Sequence, residues 1–134
     1  MGTRSLTKII QRYDDKIDEK VLTTMYRQYD GYPSGHGVDL ATWLYPFNMV
    51  NGIGLGEKRQ IANGADCLAA QMFAHFKNGP GGIYLYHPDA HDCGEEYIYY
   101  IYVYHNDITI KVYDTYYEKV IYEGEPRKLV EKYA

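Results

Sequence analysis

Apolar and polar residues alternate at both ends of the chain and cluster at helical spacing in its middle. From Arg4 to Tyr13, Leu6, Lys8, Ile10 and Arg12 alternate with Thr7, Ile9 and Gln11, which predicts a strand with little difference between its faces. Lys20 to Gln28 contributes Val21, Leu22, Thr23, Thr24, Met25 and Tyr26, a β-prone run, with helix as the alternative for the first half, where Lys, Glu and Gln are helix formers. With Asp14-Asp15-Lys16 as the turn, the two predict an antiparallel hairpin. Leu40, Ala41 and Leu44 share one face of a short helix over 37–45, which Pro46 ends. Leu68, Met72, Phe73 and Phe76 form the apolar stripe of a longer helix over 65–78. Asn63 stands at its N-cap, Asp66 three residues on as in a capping box, and Asn78-Gly79-Pro80 at its stop.

Strand patterns return after this helix. Ile83, Leu85 and His87 mark one face of a strand over 82–87, and 96–105 has Ile or Tyr at most positions. Asn106-Asp107 then predicts a tight turn into a returning strand over 108–113. A last short strand fits 119–122, and a terminal helix fits 126–133 with Pro126 in its first turn. Residues 47–64, rich in glycine and poor in periodicity, read either as an ordered binding loop or as a mobile lid. The sum is one globular domain over 1–134. It is α+β, an antiparallel sheet with one main covering helix and short additional helices.

Composition narrows the function. Among 134 residues, 46% are hydrophobic, which excludes a mostly disordered chain. Seventeen are tyrosine, a residue suited to ligand pockets and interfaces and equally to a tyrosine-rich sheet surface. The net charge of -4 argues against extended nucleic acid as a partner, though not against a small anion held by local basic groups. Asp89, Asp92, Glu95, Glu96 and Asp107 lie in a stretch with no lysine or arginine. No apolar run reaches the roughly 20 residues that span a bilayer, and the start carries no signal-peptide core. The expectation is a cytoplasmic protein without a membrane partner, with Cys67 and Cys93 as free thiols.

The densest chemistry lies in Met25-Tyr-Arg-Gln-Tyr-Asp-Gly-Tyr-Pro-Ser-Gly-His-Gly37, at a strand-to-helix junction. Arg27 offers a donor fork for phosphate or carboxylate. Asp30 is an acceptor for a ribose hydroxyl or base amine, and Tyr26, Tyr29 or Tyr32 is a stacking surface. His36, between glycines, is expected to be exposed and available as a donor or general base. Lys58 and Arg59 add a basic pair in the second glycine-rich loop. The plain alternative is an Arg27–Asp30 ion pair that only holds the loop. Neither a dinucleotide fingerprint nor a Walker loop is present, and no cofactor is expected.

Two further groups merit weighing. His87, Asp89, His91, Asp92, Cys93, Glu95 and Glu96 are residue types that suit zinc, but their spacing matches no metal signature and also fits a solvated acidic turn. Cys93 with His87 or His91 is a possible nucleophile and base, unsupported by any local signature. Asn63, Asp66, Cys67 and Gln71 surround the N-terminus of the main helix, where free amide hydrogens could hold a phosphate in competition with Asp66.

The run Tyr26-Arg-Gln-Tyr-Asp-Gly-Tyr-Pro-Ser-Gly-His-Gly37 resembles the opening motif of a family of small bacterial and phage-borne proteins. Val50-Asn-Gly-Ile-Gly, Ala62-Asn-Gly and Asp92-Cys-Gly-Glu-Glu-Tyr97 are similar to later runs of that family, so the resemblance covers about 20–105. Small phage proteins that seize nucleotide immune signals share its size and setting. By that analogy the resemblance implies a nucleotide-like ligand, and it assigns no residue.

The expected function is non-catalytic binding or sequestration of a small nucleotide-like molecule, as in a phage counter-defence sponge. Arg27, Asp30, Tyr32, His36, Lys58 and Arg59 would carry it. A metal-assisted phosphodiester hydrolase is one alternative. A homo-oligomeric interaction module is another, since Tyr97, Tyr99, Tyr100, Tyr102 and Tyr104 point both ways from one strand and make a homodimer plausible.

Overall fold

The computed structural model describes residues 2–13, 18–50 and 61–134. Lys58, Arg59 and the Asp14-Asp15-Lys16 turn lie outside the described residues.

The α+β expectation holds. Strands β1 (Ser5–Arg12), β2 (Glu19–Arg27), β5 (Ile83–Tyr86), β6 (Tyr97–Tyr104), β7 (Asp107–Asp114) and β8 (Lys119–Gly124) form one sheet in the order β5-β2-β1-β6-β7-β8. β3 (Asn48–Val50) and β4 (Ile61–Asn63) pair in parallel outside it, in the region read as a loop. The helices are α1 (Val38–Leu44), α2 (Gly64–Phe76) and α3 (Pro126–Tyr133). Among the described residues, no helix is long and apolar enough to cross a membrane. Cys67 and Cys93 are free.

The sheet is antiparallel at every junction but one. β1 runs parallel to β6, with Ser5 against Tyr97 and Gln11 against Val103. The flat pattern of β1 now has its cause. As a central strand, covered on both faces, it buries every residue from Ser5 to Ile10. β5 is an edge strand, so Leu85 is exposed although Ile83 is buried.

Helical side chains Leu40, Leu44, Leu68, Met72 and Leu129 pack with Ile9, Met25, Tyr99, Ile101, Ile110 and Val112 in the main core. The opposite sheet face carries a smaller cluster of Leu6, Tyr26 and Ile98, flanked by Tyr86, Cys93, Tyr100 and Tyr113. To pass from β5 to β6 the chain must cross β2 and β1, and it does so over this second face. Lys8 fastens the crossing. Its Nζ donates to Pro88 O, Ala90 O and Thr24 Oγ1, each at 2.8 Å. Burial lowers the Lys8 pKa, and the nearby Asp89, Cys93 and Glu95 act against that shift.

Two sequence expectations differ in detail. Asn63 occupies the N-cap of α2, but its side chain makes no capping bond. Its ψ of 79° falls short of the extended region, and Gly64 follows at φ +82°, so the chain enters the helix from an unsuited direction. The capping box does not form. Between Tyr32, extended as the following Pro33 requires, and α1, residues Pro33–Gly37 form a π-helical turn that runs directly into the helix.

Candidate functional site

Arg27 ends β2, and the chain then folds back over the helical face of the sheet. Gly31 N donates to Thr3 O at 2.9 Å, and Tyr99 Oη donates to Gly31 O at 2.6 Å. The glycine is needed for that approach. A Cβ on Gly31 would lie 2.8 Å from Ser5 Cβ, and one on Gly37 3.3 Å from the Tyr99 ring. The turn thus carries His36 inward.

This corrects the expectation of an exposed histidine. His36 is 0% exposed. Its ring meets the edges of Phe76 and Tyr99, at centroid distances of 5.3 and 5.1 Å. Arg27 Nη1 lies 2.8 Å from Nδ1, and Thr7 Oγ1 lies 2.9 Å from Nε2. A guanidinium only donates, so Nδ1 is the acceptor and Nε2 carries the hydrogen, which it gives to Thr7. Burial, and then the Arg27 charge, push the His36 pKa down to about 3. A neutral ring with both nitrogens engaged is a structural support for Arg27, not an available general base.

Arg27 is thereby fixed along one edge. Its Nε donates to Tyr29 O at 2.8 Å and its Nη1 to His36. The Nη2 side remains, 3.8 Å from Asp39 Oδ2 in the first turn of α1. Asp39, and not Asp30, is therefore the carboxylate that faces Arg27. Arg27 opens onto a cleft of about 690 Å³ between the ends of β2 and β5, α1, and the end of α2. Asp39, Thr42 and Trp43 line one side, with His75, Phe76 and Asn78 on the other. Trp43 and His75 stack at 5.4 Å with planes 18° apart.

The other sequence candidates are placed elsewhere. Asp30 is exposed at φ +58°; its carboxylate accepts from Tyr32 Oη at 3.4 Å, and its carbonyl from His36 N at 2.8 Å. Neither Asp30 nor Tyr32 is among the residues that line the cleft. Within the crossing segment, His91 Nδ1 donates to Asp89 O, Cys93 Sγ to His91 O, and Cys93 N to Glu95 Oε1. Burial first, then the Glu95 charge, raise the Cys93 thiol pKa, which disfavours a thiolate nucleophile. Among the described residues, no three His, Cys, Asp or Glu side chains are grouped to hold a metal ion. At the start of α2, Gln71 Nε2 bonds Ile61 O and Cys67 Sγ, joining β4 to the helix.

Asp39, Trp43 and His75 were not among the sequence candidates. One signal was available. Asp39 and Trp43 are four residues apart, so they lie on one flank of a helix whose Leu40, Ala41 and Leu44 face inward. Compared with known proteins, the chain matches no family model, no curated protein and no solved structure.

Proposed function

We propose that the protein binds a small nucleotide-like molecule in this cleft without transforming it. The observation that carries the reading is the held guanidinium. Arg27 is braced by neutral His36 and the Tyr29 carbonyl, and it turns its remaining donors toward an open cleft beside the Trp43–His75 stack. A braced fork loses little freedom when it takes up an anion. His75, exposed and backed by the buried Trp43, supplies a face for a planar group. The cleft volume of about 690 Å³ lies in the range of small-molecule sites. His36, the histidine nearest the guanidinium, has no free nitrogen for proton transfer, which favours binding over turnover.

Isothermal titration against mononucleotides, cyclic dinucleotides and cyclic NAD-derived products tests this reading. Binding at one site per chain is expected, with the ligand recovered chemically intact after denaturation. Arg27→Lys keeps the charge and a donor but loses the fork, and should weaken binding tenfold or more, about 1.4 kcal/mol. No binding by any of these ligands to folded protein overturns the reading.

A further inference from the structure

We infer that Lys77 keeps the sheet from extending across β5 into a second copy of the chain. The inference stands on the sheet edge and does not depend on what the cleft holds.

β5 borders the sheet, with β2 on one side and, among the described residues, no strand on the other. The ladder shows which of its backbone groups turn outward. Gln28 N donates to Gly82 O at 2.8 Å. Bonded and non-bonded pairs alternate along an antiparallel ladder, and the register sets Ile83 against Arg27, Tyr84 against Tyr26 and Leu85 against Met25. Tyr84 and Tyr86 therefore turn their amide and carbonyl toward β2, and Ile83 and Leu85 turn theirs to the open side. Two of the side chains on this edge are apolar and uncovered: Leu85 is 72% exposed and Tyr84 42%.

Such an edge is self-complementary. A second β5 laid antiparallel about a two-fold axis at Tyr84 sets Ile83 of each copy against Leu85 of the other. Each of these pairs exchanges both backbone hydrogen bonds, since all the groups involved point outward. The side chains match too. Tyr84 meets its own copy on one face of the sheet, and Leu85 meets Ile83 on the other.

Lys77 stands in the way. It follows α2, and its Nζ donates to Ile83 O at 2.7 Å and to Gly81 O at 3.0 Å, while lying 5.4 Å from the centre of the Tyr84 ring. Half of the bonds between two copies need Ile83 O, which this ammonium occupies. The Ile83 amide is engaged as well, with Gly81 O at 2.8 Å. Two copies brought together would also set both ammonium groups at one seam, where they repel. Charged side chains, lysine above all, are how sheets blunt an open edge. The competing view makes Lys77 only a tie between the end of α2 and β5. It predicts lost stability and no change in association.

The test is light scattering of the unmutated protein, Lys77→Gln and Lys77→Ser from low to high micromolar concentration, with thermal melts to confirm folding. Neither variant adds apolar surface. The glutamine is neutral and one atom shorter than lysine, and the serine is far too short to reach Ile83 O. The unmutated protein should keep one mass across the range, and the variants should double it as concentration rises. Lys77→Arg, which keeps a charged donor, should behave like the unmutated protein. Adding Leu85→Pro or Leu85→Lys to an associating variant should restore the original mass, because the first removes an outward amide and the second sets a charge at the seam. Folded Lys77→Gln or Lys77→Ser that keeps the unmutated mass at every concentration overturns the inference. So does association that survives both changes at Leu85, or an unmutated protein that already pairs through this edge and loses that pairing on Leu85→Pro.

Discussion

His36 couples the stability of the glycine-rich turn to acid. Its pKa falls from about 6.5, the ordinary value, to about 3 in the fold, through burial and then the Arg27 charge. Between those values the unfolded chain binds a proton that the folded chain excludes. The stability this residue contributes is complete above about pH 6.5 and is lost as the pH falls toward 3, at up to about 1.4 kcal/mol per pH unit. His36→Gln has no such proton, and its amide can still accept from Arg27 and donate to Thr7. Urea unfolding at pH 7 and pH 4.5 should show a smaller acid loss for the variant; an unchanged loss would assign the acid sensitivity to other groups. Arg27→Ala leaves a buried Nδ1 without its donor, so it should cost about 1–3 kcal/mol of stability as well as affinity. The sequence placed Arg27 at the end of β2 and next to the site. It could not show the His36 contact, because glycines on both sides of a histidine fit an exposed tip as well as a turn pressed onto a sheet. Only Thr7, Tyr99 and Phe76, distant in sequence, decide between the two.

At the scale of elements, close contact between the turn and β1 gives two neighbouring positions opposite tolerances. Gly31→Ala drives a methyl group into Ser5 Cβ at 2.8 Å and Thr3 O at 2.9 Å, and should destabilise by about 1–3 kcal/mol. Ser5 Oγ is buried, and among the described residues it has no hydrogen-bond partner. Ser5→Ala removes that hydroxyl and should be neutral or stabilising by up to about 1 kcal/mol. Chemical denaturation of the two variants side by side checks both. Lys8→Met deprives Thr24 and the Pro88 and Ala90 carbonyls of a charged donor. Limited proteolysis should then cut between His87 and Glu96 faster than in the unmutated chain. Local pattern was enough to find α2 and the β6–β7 hairpin, whose periodicity and turn residues lie within each element. It was not enough for Lys8, whose partners all come from β2 and the crossing segment. Nor did it reveal the failed Asn63 cap, which depends on the backbone angles at Asn63 and Gly64.

Across the whole molecule, the three helices sit on one side of the sheet and the crossing segment on the other. The tyrosines of β6 divide accordingly. Tyr99 is buried under the helices, while Tyr100 and Tyr102 face away, with Lys111 4.9 Å from the Tyr100 ring centre and Arg12 3.8 Å from that of Tyr102. These two tyrosines thus lie on a sheet surface over which the chain sets its own basic side chains. The cleft, by contrast, is built from four separate stretches, and a ligand held there joins β2 to α1 and α2. A nucleotide supplied at 100 times its Kd should raise the unfolding free energy by about 2.7 kcal/mol, seen as a higher melting temperature that depends on ligand concentration. The order of the strands was beyond reach of the sequence, because the β1–β6 pair joins stretches far apart in the chain and leaves no local signature.

That same pairing governs when the protein can fold. The β1–β2 hairpin is synthesised before β6, so one edge of β1 stays without a partner until Tyr97–Tyr104 has been made. Until then the unpaired backbone edge of β1 is open to pairing with another chain. A fold that waits on such distant contacts collapses late and slowly, on the millisecond-to-second scale of sheet-dominated domains. Chains cut short before Tyr104 should accumulate as aggregates, with the N-terminal hairpin as their sticking point.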